Sequence, residues 1–522
     1  MGAPLDLGSA FDLLIVGGGI NGAGIARDAA GRGLRLLLLE QAGLAHFTSS
    51  ASTKLIHGGL RYLEYLQLRL VREALRERER LLSIAPHLVR RATFVIPHQP
   101  HLRPAWLLRL GLLGYDALAP GSSLARSRPV RFTTSELGQP LQASLLKGFA
   151  YADCTVDDSR LVVLNVRDAY ERGADIRVGH RLLRATRVGA HWRAEILELA
   201  SGRSYAVLAR VLVNAAGPWI GEVLNERIGG RSQRAVRLVK GSHIVVRRMY
   251  AGDQAYVLQN PDRRIVFVIP YQDEFTLIGT TDVEWPQQPG AVSISAAEID
   301  YLCRTVNGYF KRSIDPTDVV WSYAGIRSLC DDAGSKAAEL TRDYALELDA
   351  PPGQAPVLTV FGGKITTYRP LAEQAMSTLA AFLPAMGACW TAERALPGGD
   401  FPDGGLPAYL AQAHRRWPFL PERQLRRLVH AYGTRLGQLL EGVATREAMG
   451  QDFGGGLTQL EVDYLRREEW AVDSEDLYWR HTKTGLQASA ADAQRLAQYL
   501  RTAPRLAEPA GNLALSDAQV IG

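Results

Sequence analysis

The chain has 522 residues, 47% hydrophobic and 22% charged, with a formal net charge of +6. Such a length exceeds one ordinary core and implies two or three domains; the charge favours anionic partners, but Lys and Arg are dispersed without a recognisable binding motif, so no nucleic-acid partner is expected. Four widely separated cysteines (Cys154, Cys303, Cys330, Cys389) show no metal-ligand spacing and read as thiols of a reducing cytoplasm. No basic region precedes the first apolar run, and no uncharged apolar stretch of about 18 residues follows, so neither a secretory signal nor a spanning helix is expected.

Residues 11–40 read as strand, glycine turn, helix and strand: Leu13-Leu14-Ile15-Val16, then Gly17-Gly18-Gly19-Ile20-Asn21-Gly22, a helical stretch to Gly33, and Leu36 to Glu40. This is the pattern of a dinucleotide cradle. Gly17 permits the tight turn, Gly19 lets backbone approach a pyrophosphate, and Gly22 lets the helix pack on the strand. The helix N-terminus offers N–H groups and the positive end of its dipole to phosphates. Glu40, ending the second strand, is placed to accept hydrogen bonds from a ribose and would repel a 2′-phosphate.

Next comes Thr48-Ser49-Ser50-Ala51-Ser52-Thr53-Lys54, followed by Leu55-Ile56-His57-Gly58-Gly59-Leu60-Arg61-Tyr62. Small hydroxyl residues followed by glycines suit a segment lying against a ligand; they equally suit a capped helix start. Residues 64–82 have the spacing of a solvated amphipathic helix. From His101 to Leu118, Trp106 and seven leucines are interrupted by charge only at Arg103, Arg109 and Asp116 around Tyr115. This helix is too short to span a bilayer; it fits either an interfacial helix on anionic lipid or a buried core helix.

A helix at Asp158 to Gly173 with strands near Ile176 and Val211 repeats the βαβ pattern, the second strand ending in Asn214-Ala215-Ala216-Gly217-Pro218. Small residues there again admit a cofactor. The β runs at 244–246, 265–269 and 275–279 suggest an antiparallel sheet walling a substrate site, followed by a helix from Ala296 to Lys311. The chain is then expected to return to the cofactor domain through Tyr323–Arg327 and a second glycine turn, Gly362-Gly363-Lys364, which opens another helix. Residues 397–405 read as a linker, and residues 407–522 as a helical cap. The expected division is 1–100, 151–239 and 323–396 for the cofactor domain, 101–150 for an insertion, 240–322 for the substrate domain and 397–522 for the helical domain.

Four stretches carry a resemblance: Ile15–Gly33 (IVGGGINGAGIARDAAGRG), Ser49–Glu64 (SSASTKLIHGGLRYLE), Lys240–Val246 (KGSHIVV) and Gly362–Ala372 (GGKITTYRPLA). Over nearly its whole length the chain resembles the FAD-dependent glycerol-3-phosphate dehydrogenases of the aerobic respiratory type. The resemblance implies an α/β fold: a Rossmann-like FAD domain of the glutathione-reductase or D-amino-acid-oxidase kind, an antiparallel substrate domain and an α-helical cap. It implies oxidation of sn-glycerol 3-phosphate to dihydroxyacetone phosphate, with electrons passed to ubiquinone or menaquinone, by a homodimer peripheral to anionic lipid on the cytoplasmic face of the inner membrane. FAD contacts are expected from Gly17, Gly19, Ile20, Asn21, Gly22 and Glu40, from Ser49, Ser50, Ser52, Lys54, His57 and Gly58, and from Ala216, Gly217, Gly363, Lys364 and Thr366.

For such a substrate, hydride leaves C2 for the flavin and the hydroxyl proton needs a base, while the phosphate needs charge-assisted partners. Arg61, Tyr62, Arg327 and Arg342 are the substrate residues implied; Lys364 could serve substrate or flavin. The base is His57 or His243, with Arg327 beside it. Ser328, Thr53 and Ala216 stand where the family commonly has proline, serine and threonine, which leaves a less rigid loop after Arg327 and an otherwise intact site. The chain lacks both the calcium-binding extension of the mitochondrial relatives and the long insertion of the peroxide-producing oxidases, which favours the bacterial quinone-linked type. An oxygen-using oxidase and a non-catalytic flavin-binding redox sensor are the alternatives.

Overall fold

The computed structural model describes residues 10–99, 102–230, 232, 234–331 and 343–503. The first sheet has the strand order Ala345–Asp349, Val357–Phe361, Ser204–Asn214, Phe11–Val16, Leu36–Glu40, Asp175–Val178. Its four inner pairings are parallel, from Val357–Phe361 to Asp175–Val178, and Ala345–Asp349 closes one edge antiparallel. Parallel strands buried on both faces must be continuously apolar: Leu13–Val16 and Leu36–Leu39 are, and every one of these residues is buried. Helix Ile20–Gly31 crosses between the first two strands and packs on helices Asp158–Glu171 and Tyr368–Leu379. The contact is close enough that a Cβ on Gly24 would lie 2.7 Å from the Tyr368 ring. Arg27, 1% exposed, is carried into this layer because Asp168 meets its Nε at 2.6 Å and the Arg394 carbonyl its Nη2 at 2.8 Å; a buried guanidinium without such partners would be prohibitive.

The second sheet has ten strands, antiparallel except for one parallel pairing between Ala255–Gln259 and Val89–Pro97. Its membership corrects the expected domain boundaries. Leu55–Ile56, Val89–Pro97, Arg128–Arg131 and Lys147–Val156 all belong to it. Tyr323–Arg327 does not return to the first sheet: it lies within strand Val319–Asp331, which pairs antiparallel with Ala235–Arg247 along nearly its whole length. Both corrections have one cause. Sheet membership is set by pairing partners remote in sequence, which local pattern does not reveal.

The amphipathic helix begins later than its spacing suggests, at Leu68–Ile84. A 3₁₀ turn, Leu60–Tyr65, precedes it, and Leu66 at φ 55° breaks the two apart. Helix Ala105–Ala117 starts after Pro104 and is buried on one side only. Leu112 and Tyr115 are buried, whereas Trp106 and Leu110 are 69% and 57% exposed. An unexpected hairpin, His180–Val188 and His191–Glu198, flanks the first sheet.

The C-terminal region is helical, with elements at Gly405–Arg416, Glu422–Tyr432, Gln459–Glu468 and Ala490–Thr502 around its own core. It is fastened to the cofactor layer by Arg160 on Glu469, and by Lys483 Nζ on Asp157 at 2.6 Å.

Candidate active site

The glycine turn at the end of the first strand is fixed by backbone contacts. Gly17 has φ +117°, and a Cβ there would lie 2.5 Å from the Ala215 carbonyl oxygen. A Cβ on Gly22 would lie 1.9 Å from the Gly17 carbonyl oxygen, so the helix can approach the turn this closely only as glycine. Gly19 differs: the nearest atom to its Cβ position is Ser49 Oγ at 3.1 Å, so its missing side chain leaves room. Gly19 also caps the helix without a side-chain hydrogen bond, and the Ile20 N–H is met by Ser49 Oγ at 3.0 Å. The first-turn N–H groups lack intrahelical acceptors by geometry. Asn21 donates from Nδ2 to the Gly362 carbonyl at 2.9 Å, while its buried Oδ1 has no partner among the described residues.

Glu40 is buried and accepts from the N–H groups of Gly18 at 2.7 Å and Ala42 at 2.8 Å. Burial pushes its carboxyl pKa up and these N–H groups pull it back. A carboxylate has about four acceptor positions, so capacity for a hydroxyl donor remains. Gly18, without a role in the glycine pattern read above, is required here: a Cβ would meet Glu40 Cβ at 2.8 Å.

Segment 48–58 is the seam between the two sheets. Thr48 Oγ1 donates to the Ile326 carbonyl, and Tyr323 Oη to the Ser52 carbonyl at 2.8 Å. Ser50 Oγ turns back on the Phe47 carbonyl. Ser52 Oγ and Lys54 Nζ both bind Asp158, at 2.7 and 2.9 Å, and Lys54 Nζ also donates to the Ser50 carbonyl. Lys54, expected at the cofactor, is therefore committed to Asp158, and its φ of 58° is held by that grip. Gly58 N–H donates to Tyr115 Oη at 2.8 Å, and a Cβ there would overlap Leu75 and Tyr115, so Gly58 is a packing glycine.

The second glycine turn meets the first. Gly362 and Gly363 have φ of +69° and +99°, and a Cβ on Gly363 would reach the Asn21 side chain at 2.8 Å. The buried Thr366 Oγ1 accepts the His57 N–H at 3.4 Å. Lys364 Nζ stands 3.9 Å from the centroid of the Tyr62 ring, a cation–π contact that brings two expected substrate residues together. Ala216 and Gly217 follow the Ala215 carbonyl that closes over Gly17.

From the second sheet, His243 is wholly buried, stacked on Tyr323 at 4.7 Å, with Nε2 sharing a hydrogen bond with Thr53 Oγ1 at 3.0 Å. Its Nδ1 has no partner among the described residues. Burial, reinforced by Arg327 and Lys54, holds its pKa well below the ordinary value, so the ring is neutral. Arg327 projects over Gly241, where a Cβ would lie 2.5 Å from its guanidinium. Asp282 at 2.7 Å and Thr280 at 2.9 Å orient it. His57 and Arg61 are half-buried on the seam, and Arg61 makes no hydrogen bond or salt bridge to another described residue. Arg342 lies outside the described residues. Sequence reasoning missed Asp158, Tyr323, Thr280 and Asp282, which act on the site from remote positions.

Residues 12–369 match the family model described as FAD dependent oxidoreductase, and residues 389–505 match the C-terminal domain of alpha-glycerophosphate oxidase. A glycerol-3-phosphate dehydrogenase of Pseudomonas aeruginosa is 49% identical over 496 residues, 95% of this chain and 96% of the relative. The chain belongs to the FAD-dependent glycerol-3-phosphate dehydrogenase family. Within reach of this family is also a D-erythritol 1-phosphate dehydrogenase of Brucella abortus, 43% identical over 492 residues, 94% of this chain and 98% of the relative. Among solved structures, the FAD complex of a glycerol-3-phosphate dehydrogenase from Bacillus halodurans shares the fold, with a TM-score of 0.72 over 97% of both chains at 24% identity. The cradle fits the cofactor of the family: the open face at Gly19, the uncapped helix and the orphaned Asn21 Oδ1 are what a bound dinucleotide would meet.

Proposed function

We propose that this oxidoreductase converts sn-glycerol 3-phosphate to dihydroxyacetone phosphate and delivers the electrons to a membrane quinone, ubiquinone or menaquinone. The observation that carries the reading is the pairing of an oriented cation with neutral imidazole on the seam: Arg327 braced by Asp282 and Thr280, beside His243. A guanidinium held this way suits a phosphate dianion, and Arg61, Tyr62 and Lys364 are the further substrate residues of this reading. When bound, FAD supplies the two-electron acceptor for the hydride at C2. The hydroxyl proton goes to a histidine. His57 is half-buried, whereas His243 is fully buried with its Nε2 on the Thr53 hydroxyl. In this reading His57 is the base, and His243 fixes Thr53.

Membrane contact is part of the proposal. Trp106 and Leu110 of helix Ala105–Ala117 stand out beside the turn that carries Leu66, 80% exposed, and Leu68, 49% exposed. An apolar face of this kind suits docking on anionic lipid at the cytoplasmic surface, where a quinone is delivered. Among the described residues no helix is long and apolar enough to cross a membrane.

Steady-state turnover tests the acceptor and the substrate together. The account expects quinone-analogue reduction under nitrogen with glycerol 3-phosphate at a higher kcat/KM than with D-erythritol 1-phosphate. Oxygen uptake at the same rate without quinone would make the protein an oxidase, a reading that the match of residues 389–505 favours. Preference for the four-carbon ester would move the substrate assignment.

A further inference from the structure

Away from the seam, a cavity of about 780 Å³ opens between the helical C-terminal domain and the second sheet. One wall comes from strand Val89–Pro97 and the turn at 272–274, the other from helix Glu422–Tyr432 and the loops around residues 446–456 and 481–487. Its lining carries eight arginines against five carboxylates. Some of these arginines are spent on the fold: Arg427 grips Glu461 at 2.6 Å and the Gly456 carbonyl at 3.0 Å. Others are not. The Arg90 side chain makes no hydrogen bond or salt bridge to another described residue. Arg247, 63% exposed, is 3.7 Å from its nearest carboxylate, Glu274, which Arg423 engages more closely.

A second, independent observation lies in the lining. His87 is 1% exposed; the Pro397 carbonyl lies on one side of its ring, and by strict hydrogen-bond geometry neither ring nitrogen has a partner among the described residues. Its own carbonyl is taken by His430 Nδ1 at 3.1 Å. A buried imidazole with a ring nitrogen left over is costly, and unmet polar groups of this kind ordinarily face a water or a ligand. The volume falls within the range of about 300–1,000 Å³ typical of small-molecule sites.

We propose that this cleft is a second anion site, separate from the substrate site, that takes a di- or triphosphate group, either inorganic or borne by a nucleoside, on Arg90 and Arg247 with His87 as a hydrogen-bonding group of the lining. The position also connects it to the cofactor loop. Asp157, in the lining, holds Lys483 at 2.6 Å, and its neighbour Asp158 holds Lys54 in segment 48–58.

Titration calorimetry on the FAD-loaded full chain tests the proposal, with glycerol 3-phosphate present at saturation and sodium tripolyphosphate or ATP as probe. The expected result is saturable one-to-one binding that is weakened about tenfold or more by Arg90→Ala and by Arg247→Ala, with flavin content and reduction by glycerol 3-phosphate unchanged. Equal affinity for the two probes identifies the phosphate chain as what is recognised, and tighter ATP binding identifies a nucleotide. No saturable heat, affinity indifferent to both substitutions, or displacement by glycerol 3-phosphate would each overturn the proposal.

Discussion

Gly22 and Gly19 are both glycines of one turn, yet the structure assigns them opposite liabilities. In Gly22→Ala the new Cβ would lie 1.9 Å from the Gly17 carbonyl oxygen and 3.1 Å from its carbon, whereas real Cβ atoms essentially never come within 3.0 Å of such neighbours. The helix start must therefore retreat by at least about 1 Å, and because the obstruction is backbone on both sides no rotamer change relieves it. Overpacking of this kind costs about 1–3 kcal/mol, and the retreat carries the first-turn N–H groups away from a pyrophosphate. In Gly19→Ala the Cβ meets only Ser49 Oγ at 3.1 Å, a tight but not forbidden contact. Its backbone, φ −82° and ψ −176°, is one any residue adopts, so the protein itself loses only about 1 kcal/mol, the usual difference between glycine and alanine at an N-cap. The methyl instead occupies the space reserved for the cofactor. Flavin-to-protein absorbance and thermal melting of the flavin-free form separate the two. Gly22→Ala should lower both; Gly19→Ala should lower flavin content while leaving the flavin-free melt within a few degrees of the parent. A Gly22→Ala protein that purifies with full flavin and an unchanged melt would refute the reasoning.

At the substrate site, Arg327→Met should lower kcat/KM for glycerol 3-phosphate by ~30- to ~150-fold, the lower part of the range for a desolvated charge partner because Arg327 is 31% exposed; flavin content should not change, and an unaltered KM and kcat would remove it from the phosphate site. His57→Asn should depress kcat far more than Thr53→Val; the reverse order would make His243 the base through Thr53. Burial pushes His87 down to about 3 and His430 down to about 4, with Arg160 and Arg90 respectively adding to it, so both are neutral when folded but take a proton near pH 6.5 when unfolded. Their contribution is fully present above that value and is lost as pH falls, up to ~2 kcal/mol per histidine between pH 6.5 and pH 5. Denaturant midpoints should drop across that window, and His430→Gln should flatten the slope; an unchanged slope would contradict the burial argument. Replacing Trp106 and Leu110 by serine should abolish co-sedimentation with phosphatidylglycerol vesicles without altering flavin content, and retained sedimentation would place lipid contact elsewhere.

The cofactor half of the fold was legible because its determinants are local. The apolar run Leu13–Val16, the glycine spacing and the terminal Glu40 lie within 30 residues, and the parallel strands are buried on both faces, so their composition needs no partner to interpret it. The hairpin at 180–198 escaped notice because its strands are half exposed: residues such as Arg181, Arg184 and Arg193 interrupt the apolar alternation. Strand Val319–Asp331 was divided between two domains because its partner lies some 80 residues earlier and fixes its register across the boundary. Lys54 was placed at the cofactor with the rest of its segment, on the resemblance; Asp158, 104 positions away, takes its charge. Helix Ala105–Ala117 looked equally suited to core and interface because its apolar residues are divided between a buried side, Leu112 and Tyr115, and an exposed one, Trp106 and Leu110.

The central claim is that glycerol 3-phosphate reduces the FAD of this chain, and an anaerobic mixing experiment tests it directly. The purified holoenzyme is mixed with glycerol 3-phosphate, and separately with glycerol, while the flavin absorbance is followed. The account predicts rapid bleaching by the phosphate ester and none by glycerol, since without a phosphate Arg327 has nothing to hold. Equal bleaching by both, or an oxidised flavin that survives saturating glycerol 3-phosphate, would contradict it.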